Sequence, residues 1–339
     1  MGKASYMFRV VRNASFKKFF GVVNESAEIS GKSKAFCFFD ILRCMKKFHA
    51  GYYDYLIFHW WDKTDEQRMT YLTRFKSKKL VTLLNDPNYA HYFDNKNEFN
   101  EMFKDFIKRE VVDVTTASKD EIVKFYEGRD KYFCKLKDLS CGKGCELLKK
   151  EDFADGEQFY NYVKEKGFAV IEDVIQNHPD VQKLYPYAVN TCRVITIIDS
   201  KGVPHCVICV FKMGRHGRVV DNYGLHSPVD METGEILYPC HSGDTTENML
   251  YTEHPDTHIP LIGYKVPYIK EVIEMAKQAA LRVPQMRYVG WDIAITPTGP
   301  AIIEGNNYCA HDFWQLPGQT PDGYGIIPTI KKIVPEYDA

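Results

Sequence analysis

No apolar run in the 339 residues approaches the roughly 18 that a membrane-spanning helix needs. The leading stretch, Met1 to Lys18, is charged and has no apolar signal core, so a cytoplasmic chain is expected. The ten cysteines are irregularly spaced, which argues against a disulfide framework and fits thiols in a reducing compartment. Cys206-Val-Ile-Cys209 has redox spacing but sits in His205–Phe211, which reads as a strand. Residues three apart on a strand point to opposite faces, so no redox or metal role is expected of the pair. No internal repeat, low-complexity linker or GxxxxGK[ST] phosphate loop is present. The net charge of −1 gives no support for a nucleic-acid partner.

What is present suits a folded protein of one large domain or two. Apolar residues make up 45% and aromatics 14%, with 22 tyrosines and 21 phenylalanines to fill a core. The near-zero total hides an asymmetry. Residues 1–83 hold 16 Lys+Arg against 7 Asp+Glu, a charge of +9, and the remainder carries −10. A basic segment of this kind can be an ordinary solvated face, or can meet an acidic partner, a membrane surface or the acidic rest of the chain.

The first stretch is helical in pattern, over Phe36–Phe48 and Glu66–Lys79, with a break at Leu83-Leu-Asn-Asp-Pro87. Asn97–Arg109 reads as an amphipathic helix. From about residue 130 strands and helices mix. Strands are expected over Asp130–Leu136, Gly167–Val174, Thr191–Asp199 and Val203–Met213, helices over Gly156–Lys166 and Pro267–Arg282, and a last hairpin over Tyr288–Thr296 and Gly299–Glu304. The fold class is α+β or α/β with open sheets.

The segment Gly290–Asn306 carries the strongest chemistry. If Thr298 sits at the centre of the turn Thr296–Gly299, Asp292 and Glu304 lie opposite each other, about 5 Å apart at Cβ. Asn306, two residues on, shares that face. Two carboxylates and an amide oxygen suit Mg²⁺, which fills its shell with water and nucleotide phosphates. A solvent-facing hairpin with incidental acids is the alternative, and it leaves unexplained why these acids border apolar Ile293, Ile295, Ile302 and Ile303. Phe133-Cys-Lys135 precedes a turn with Gly142, Lys143 and Gly144, where backbone N–H groups and lysine can approach phosphate; an ordinary hairpin turn would look the same. Asn190-Thr-Cys-Arg193, Lys212–Arg218 with Asp221-Asn222, and His254-Pro-Asp-Thr257 put cations, amides and a histidine near strand ends.

In order along the chain these segments resemble the ATP-grasp superfamily, and more closely its sugar-transfer associated branch found among polysaccharide-biosynthesis proteins. The likeness spans about residues 85–310 and is carried by Lys135 with its glycine loop, Ile171–Val174, Asn190–Thr196, Val220–Asn222, His254–Thr257, Gly290–Thr296 and Gly299–Asn306. It implies an ATP-grasp fold, two α+β subdomains clasping ATP, behind a mainly helical, basic region 1–83. A segment 84–125 would precede an ATP-grasp domain at 126–339, with a lid at about 126–175 and a metal-binding subdomain at about 176–310. It further implies that Lys135, Gly142, Lys143 and Gly144 face the phosphates of ATP, and that Glu172 and Val174 lie at the adenine hinge. Arg193 and Lys212 would face the transferred phosphate, and Asp292, Glu304 and Asn306 would hold Mg²⁺. Lys212 stands where the family pattern has arginine, and Tyr223-Gly-Leu-His226 replaces a glycine pair. Lysine keeps the charge but loses the bidentate fork. Arg215, Arg218, His226, His254 and Asp256 are the candidates for acceptor binding, with ordinary surface roles as the alternative.

The function so implied is an ADP-forming carboxylate–amine ligase acting through an acyl-phosphate on a sugar acid, glycan precursor or amino acid. A kinase phosphorylating a hydroxyl would need the same ATP and Mg²⁺. A non-catalytic nucleotide-binding scaffold of a glycan assembly system is the third reading. The expected partners are small-molecule or glycan carboxylates and amines, and a membrane or glycosyltransferase contacted through 1–83.

Overall fold

The computed structural model describes residues 16–136, 144–218, 223–244, 247 and 249–338. The chain divides into two units, one of residues up to Leu83 with 310 onward, the other Leu84–Cys309.

The first unit is helical. Helices Phe16–Ser30, Lys34–Lys47 and Tyr52–Ile57 enclose Cys37, Ile41, Cys44, Tyr55, Phe58 and Trp60. Asp40 is buried among them, and Arg68 reaches it with Nη1 at 2.9 Å and Nη2 at 2.7 Å. The helix expected over Glu66–Lys79 is two, Asp65–Met69 and Arg74–Leu84. Thr64 and Gln67 cap the first reciprocally, and the Thr70 hydroxyl takes the Gln67 carbonyl at its end. Tyr71 and Leu72 between them are buried, and Gln315 accepts from the Leu72 N–H at 2.8 Å and donates to its carbonyl at 3.2 Å. Such bonds place residues 310–338 with the helical unit.

The second unit holds two antiparallel sheets. The smaller has the order β1-β4-β2-β3, with β1 Val111–Asp113, β2 Lys131–Leu136, β3 Cys145–Lys149 and β4 Phe168–Asp173. It takes β1 from the stretch assigned to a separate 84–125 segment. Helices Lys119–Glu127 and Gly156–Glu165 cover one face, packing Ile122, Phe125 and Phe159 on Tyr132, Cys134 and Ile171. Gly156 lets the two helices close, since a Cβ there would stand 2.7 Å from Val123. Strand alternation then turns Phe133, Lys135 and Glu172 to the opposite face.

The larger sheet has the order β11-β10-β5-β6-β7-β8-β9. Its strands are β5 Thr191–Ile198, β6 Pro204–Met213, β7 Leu225–Pro228, β8 Cys240–Ser242, β9 Leu250–Tyr251, β10 Tyr288–Thr296 and β11 Gly299–Asn306. Helix Ile269–Ala280 packs Val272, Ala276 and Ala279 against the face lined by Cys192, Val194, Cys209, Phe211 and Ile293. Cys206 and Cys209 both turn to this face, contrary to the expectation from simple alternation. A bulge makes Ile208 pair with Ile195 but Cys206 with Thr196, so Val207 is an extra residue. Both are free thiols, and burial pushes Cys206 up to about 12, consistent with an inert packing role.

In the helical unit His311 Nε2 lies 2.8 Å from Asp54 Oδ1. Burial opposes the charged imidazole, but the Asp54 hydrogen bond and charge raise its pKa overall. A raised pKa contributes stability that is complete below the unfolded value of about 6.5 and is lost as pH rises through the folded one. The stability gap between wild type and His311→Gln should therefore shrink between pH 5.5 and 8.5. A gap that widens with pH in denaturant titrations would contradict this assignment.

Candidate active site

The face of the larger sheet away from helix Ile269–Ala280 carries a polar row. The β10–β11 hairpin turns through two residues, Pro297 and Thr298, with Thr296 opposite Gly299. Gly299 has φ +112°, a conformation glycine tolerates. Continued without interruption, this register would set Asp292 against Ile303. A bulge after Ile302 makes Ile303 the extra residue and brings Glu304 opposite Asp292. The pairing expected from a turn centred on Thr298 is present, but a tighter turn plus a bulge produces it.

Asp292 pairs in register with Arg193 of β5. The guanidinium meets both carboxylate oxygens, Nε to Oδ1 and Nη2 to Oδ2, the latter at 2.6 Å. Lys212 Nζ of β6 lies 3.9 Å from Oδ2. All three residues are buried. Burial would raise the Asp292 carboxyl, but Arg193 and Lys212 together hold it well below the usual range. Glu304 goes the other way. It is exposed, yet crowding protein atoms desolvate its carboxyl and the adjoining Asp292 charge repels ionisation, so its pKa is raised. Asn306 points its amide nitrogen toward Glu304 Oε1 and the Gly290 carbonyl, both at 3.4 Å. Two adjoining carboxylates, one of them resisting ionisation, with an amide beside them, are a donor set that a hard divalent cation relieves. The residues present fit Mg²⁺. Among the described residues no cluster of three His, Cys, Asp or Glu offers a competing site.

The row continues across the sheet. Lys212 pairs with His226 on β7, and His226 with His241 on β8, their rings 6.3 Å apart. Burial, then the neighbouring His241 and Lys212, pull His226 down to about 3, so its imidazole is neutral at physiological pH.

On the smaller sheet, Lys135 Nζ lies 2.5 Å from Glu172 Oε1. Arg109 Nε and Nη2 reach Glu172 Oε2 at 3.1 and 3.0 Å. Glu172 is buried, and although burial opposes its charge, Lys135 and Arg109 lower its pKa. Arg109 also donates from Nη1 to the Ile302 carbonyl of β11 at 2.8 Å. It therefore ties the sheet bearing Lys135 to the hairpin bearing Asp292 and Glu304. Sequence reading placed Arg109 only at the end of a helix; nothing local marks it, because its partner is 63 residues away. Val174 is half-buried just beyond β4. From there the chain crosses to the larger sheet, where the His178 N–H donates to the Ile295 carbonyl at 2.6 Å. The Gly144 carbonyl accepts from Leu136 N–H at 3.0 Å. Gly142, Lys143 and Asp221-Asn222 lie outside the described residues.

The acceptor candidates separate. Arg215 is buried and its donors are committed to the Tyr223 carbonyl, Glu247, Tyr251 and Ser242, at 2.6 to 3.1 Å. His254 is fully buried, with Nε2 2.9 Å from the Gly214 carbonyl and Nδ1 accepting from Asp256 N–H at 3.3 Å. Asp256 accepts from His216 N–H at 2.7 Å. These three hold the loop after β6 in place. Arg218 is exposed, its guanidinium over the Tyr223 ring at 5.4 Å.

The fold is that of an α+β protein with two antiparallel sheets, one bearing this polar face. The sequence profile of the sugar-transfer associated ATP-grasp family matches residues 156–333, more than half of the chain, and the chain belongs to that family. No curated protein matches its sequence. Solved structures similar to it include D-alanyl-alanine synthetase A from Vibrio cholerae, at 12% identity over 78% of this chain and 68% of that one, with a TM-score of 0.40. Biotin carboxylase from Campylobacter jejuni, as a β,γ-ATP complex, is 13% identical over 74% of this chain and 47% of that one, with a TM-score of 0.46. The ATP-grasp ligase PsnB with minimal precursor, Mg and ADP is 12% identical over 75% and 62%, with a TM-score of 0.42.

Two predictions follow from the pairing. The structure gives the two acids different roles in stability. Asp292→Ala strands a buried guanidinium, at a cost of about 3–5 kcal/mol, and should lower the melting temperature. Glu304→Gln relieves repulsion and should melt no earlier than wild type while losing Mg²⁺-dependent nucleotide binding. Calorimetry on both variants checks this; unchanged metal dependence in Glu304→Gln removes it as a ligand. Arg109→Met should weaken binding of an ATP analogue about tenfold, the loss of roughly 1.4 kcal/mol, with Arg109→Lys restoring part of it. Equal affinities in all three proteins would detach Arg109 from the site.

Proposed function

We propose that the protein is an ATP-dependent, ADP-forming ligase joining a carboxylate to an amine through an acyl-phosphate. The observation that carries this reading is the polar row itself: adjoining carboxylates Asp292 and Glu304 flanked by Arg193 and Lys212 on one sheet face. Such a face serves a reaction in which phosphate charge is redistributed and the protein supplies position and countercharge.

In the proposed reaction a carboxylate oxygen of the substrate attacks the γ-phosphorus of ATP, and the bond to the β,γ-bridging oxygen breaks, releasing ADP. The amine then attacks the acyl carbon, loses a proton, and phosphate departs. Lys135, fixed by Glu172, binds the nucleotide phosphates with the glycine loop 142–144, and Glu172 and Val174 border the hinge beside adenine. Arg193, oriented by Asp292, and Lys212 hold charge on the transferred group. Asp292, Glu304 and Asn306 would hold Mg²⁺, which supplies Lewis-acid neutralisation of phosphate oxygens. Arg218 and His226 face the acceptor. Arg215, His254 and Asp256 act beneath them by fixing the loop. The family's sugar-transfer description supports a sugar acid, glycan precursor or amino acid as the substrate class, in polysaccharide biosynthesis.

Hydroxylamine traps an acyl-phosphate as a hydroxamate but leaves a phosphate ester intact. With a candidate carboxylate, ATP and Mg²⁺, hydroxamate should accumulate in step with ADP. ADP released with a hydroxyl acceptor and no hydroxamate would make the protein a kinase. Nucleotide binding without turnover across the carboxylate and hydroxyl panels would leave a scaffold.

A further inference from the structure

Helix Lys34–Lys47 is apolar on two sides. Its inner side buries Cys37, Ile41 and Cys44. Its outer side carries Phe36, Phe39 and Leu42, spaced three apart and 44%, 68% and 42% exposed. Phe20 of the preceding helix, 50% exposed, joins them through Phe38, which it stacks against at 6.1 Å and which meets Phe39 edge-on at 5.2 Å. A folded protein that leaves contiguous rings in water has a use for them.

The charge around the ridge is mostly positive, and the exposed acid Asp62 is paired with Lys32. Lys17 and Lys18 flank it on the first helix, Lys34 and Lys46 on the second, all exposed. The only acid in helix Lys34–Lys47 is Asp40, buried and bound to Arg68. The acids of helix Phe16–Ser30, Glu25 and Glu28, lie in its second half, past Phe20. Asp65 is occupied by Arg43 and by Lys47, the latter at 2.5 Å. Projecting aromatic rings among lysines match the boundary of a bilayer, where rings enter at headgroup level and lysines meet anionic headgroups. No described helix is long and apolar enough to cross a membrane, so the contact would be peripheral.

We propose that this face of the helical unit, built on Phe20, Phe36, Phe39 and Leu42 and framed by Lys17, Lys18, Lys34 and Lys46, docks the protein on an anionic lipid surface. The inference stands independently of the ligase reading.

Cosedimentation of the full chain with vesicles tests it. The protein should bind vesicles of phosphatidylcholine mixed with phosphatidylglycerol, not phosphatidylcholine alone, and should release as salt rises toward roughly 0.5 M. Phe39→Ser combined with Leu42→Ser should weaken binding about tenfold, as should Lys34→Glu combined with Lys46→Glu. All four positions are exposed, so melting temperature and ATP-analogue binding should not move. Absence of binding to the anionic vesicles, or equal binding by wild type and both double variants, overturns the proposal. So does a wild-type dimer in gel filtration that Phe39→Ser dissociates, since the ridge would then belong to a second copy of the chain. Binding of nucleotide is measured separately, so loss of one reading leaves the other intact.

Discussion

A guanidinium cannot give up its proton, so wherever one is buried the fold must bring a carboxylate to it. Four arginines among the described residues are met in this way. Arg68 finds Asp40 across 28 residues, Arg215 finds Glu247 across 32, Arg109 finds Glu172 across 63, and Arg193 finds Asp292 across 99. Each pair fixes a meeting of elements distant in sequence. The Arg193–Asp292 pair matters most, because it joins two interior strands of the larger sheet, β5 and β10, and the polar row on that face runs through it.

That arrangement divides the two acids between tasks. Asp292 is anchored by two cations and stays ionised, so it supplies a fixed negative charge. Glu304 has its neighbour's charge against it and more freedom at the surface. One carboxylate is the framework and the other the adjustable member. The smaller sheet repeats the logic in reverse: Glu172 is the buried anion, and Lys135 and Arg109 are held by it. A lysine placed this way has already lost the rotamer freedom that would otherwise have to be frozen when phosphate binds.

Much of this was legible along the chain. Alternation and turn residues mark the last hairpin, and the strands expected from residue 130 onward lie where the pattern puts them, within a residue or two, whereas the short strands β3, β7, β8 and β9 are not expected from it. Counting from Thr298 sets the two acids opposite each other, although a tighter turn and a bulge bring them there. The rest depends on contacts that leave no local trace. Arg109 looks like any basic residue after an amphipathic stretch. Bulges at Val207 and Ile303 involve β-branched residues with nothing to distinguish them from regular strand, which is why Cys206 and Cys209 share a face against expectation. Arg215, His254 and Asp256 have the residue types of a binding site, but burial turns the polar atoms of Arg215 and His254 inward, and exposed Asp256 is taken up by the His216 N–H. Residues 310–338 join the helical unit through Gln315, whose amide substitutes for a strand partner of Leu72.

The bulge at Ile303 has a consequence for how this hairpin can vary. A two-residue turn with a bulge and a three-residue turn without one bring the same acids face to face. Gaining or losing a residue at either place alone slides the far strand by one position and turns Glu304 into the apolar side. Insertions and deletions in this stretch are therefore tolerated only as matched pairs, and related chains can exchange one solution for the other while keeping the carboxylates opposed.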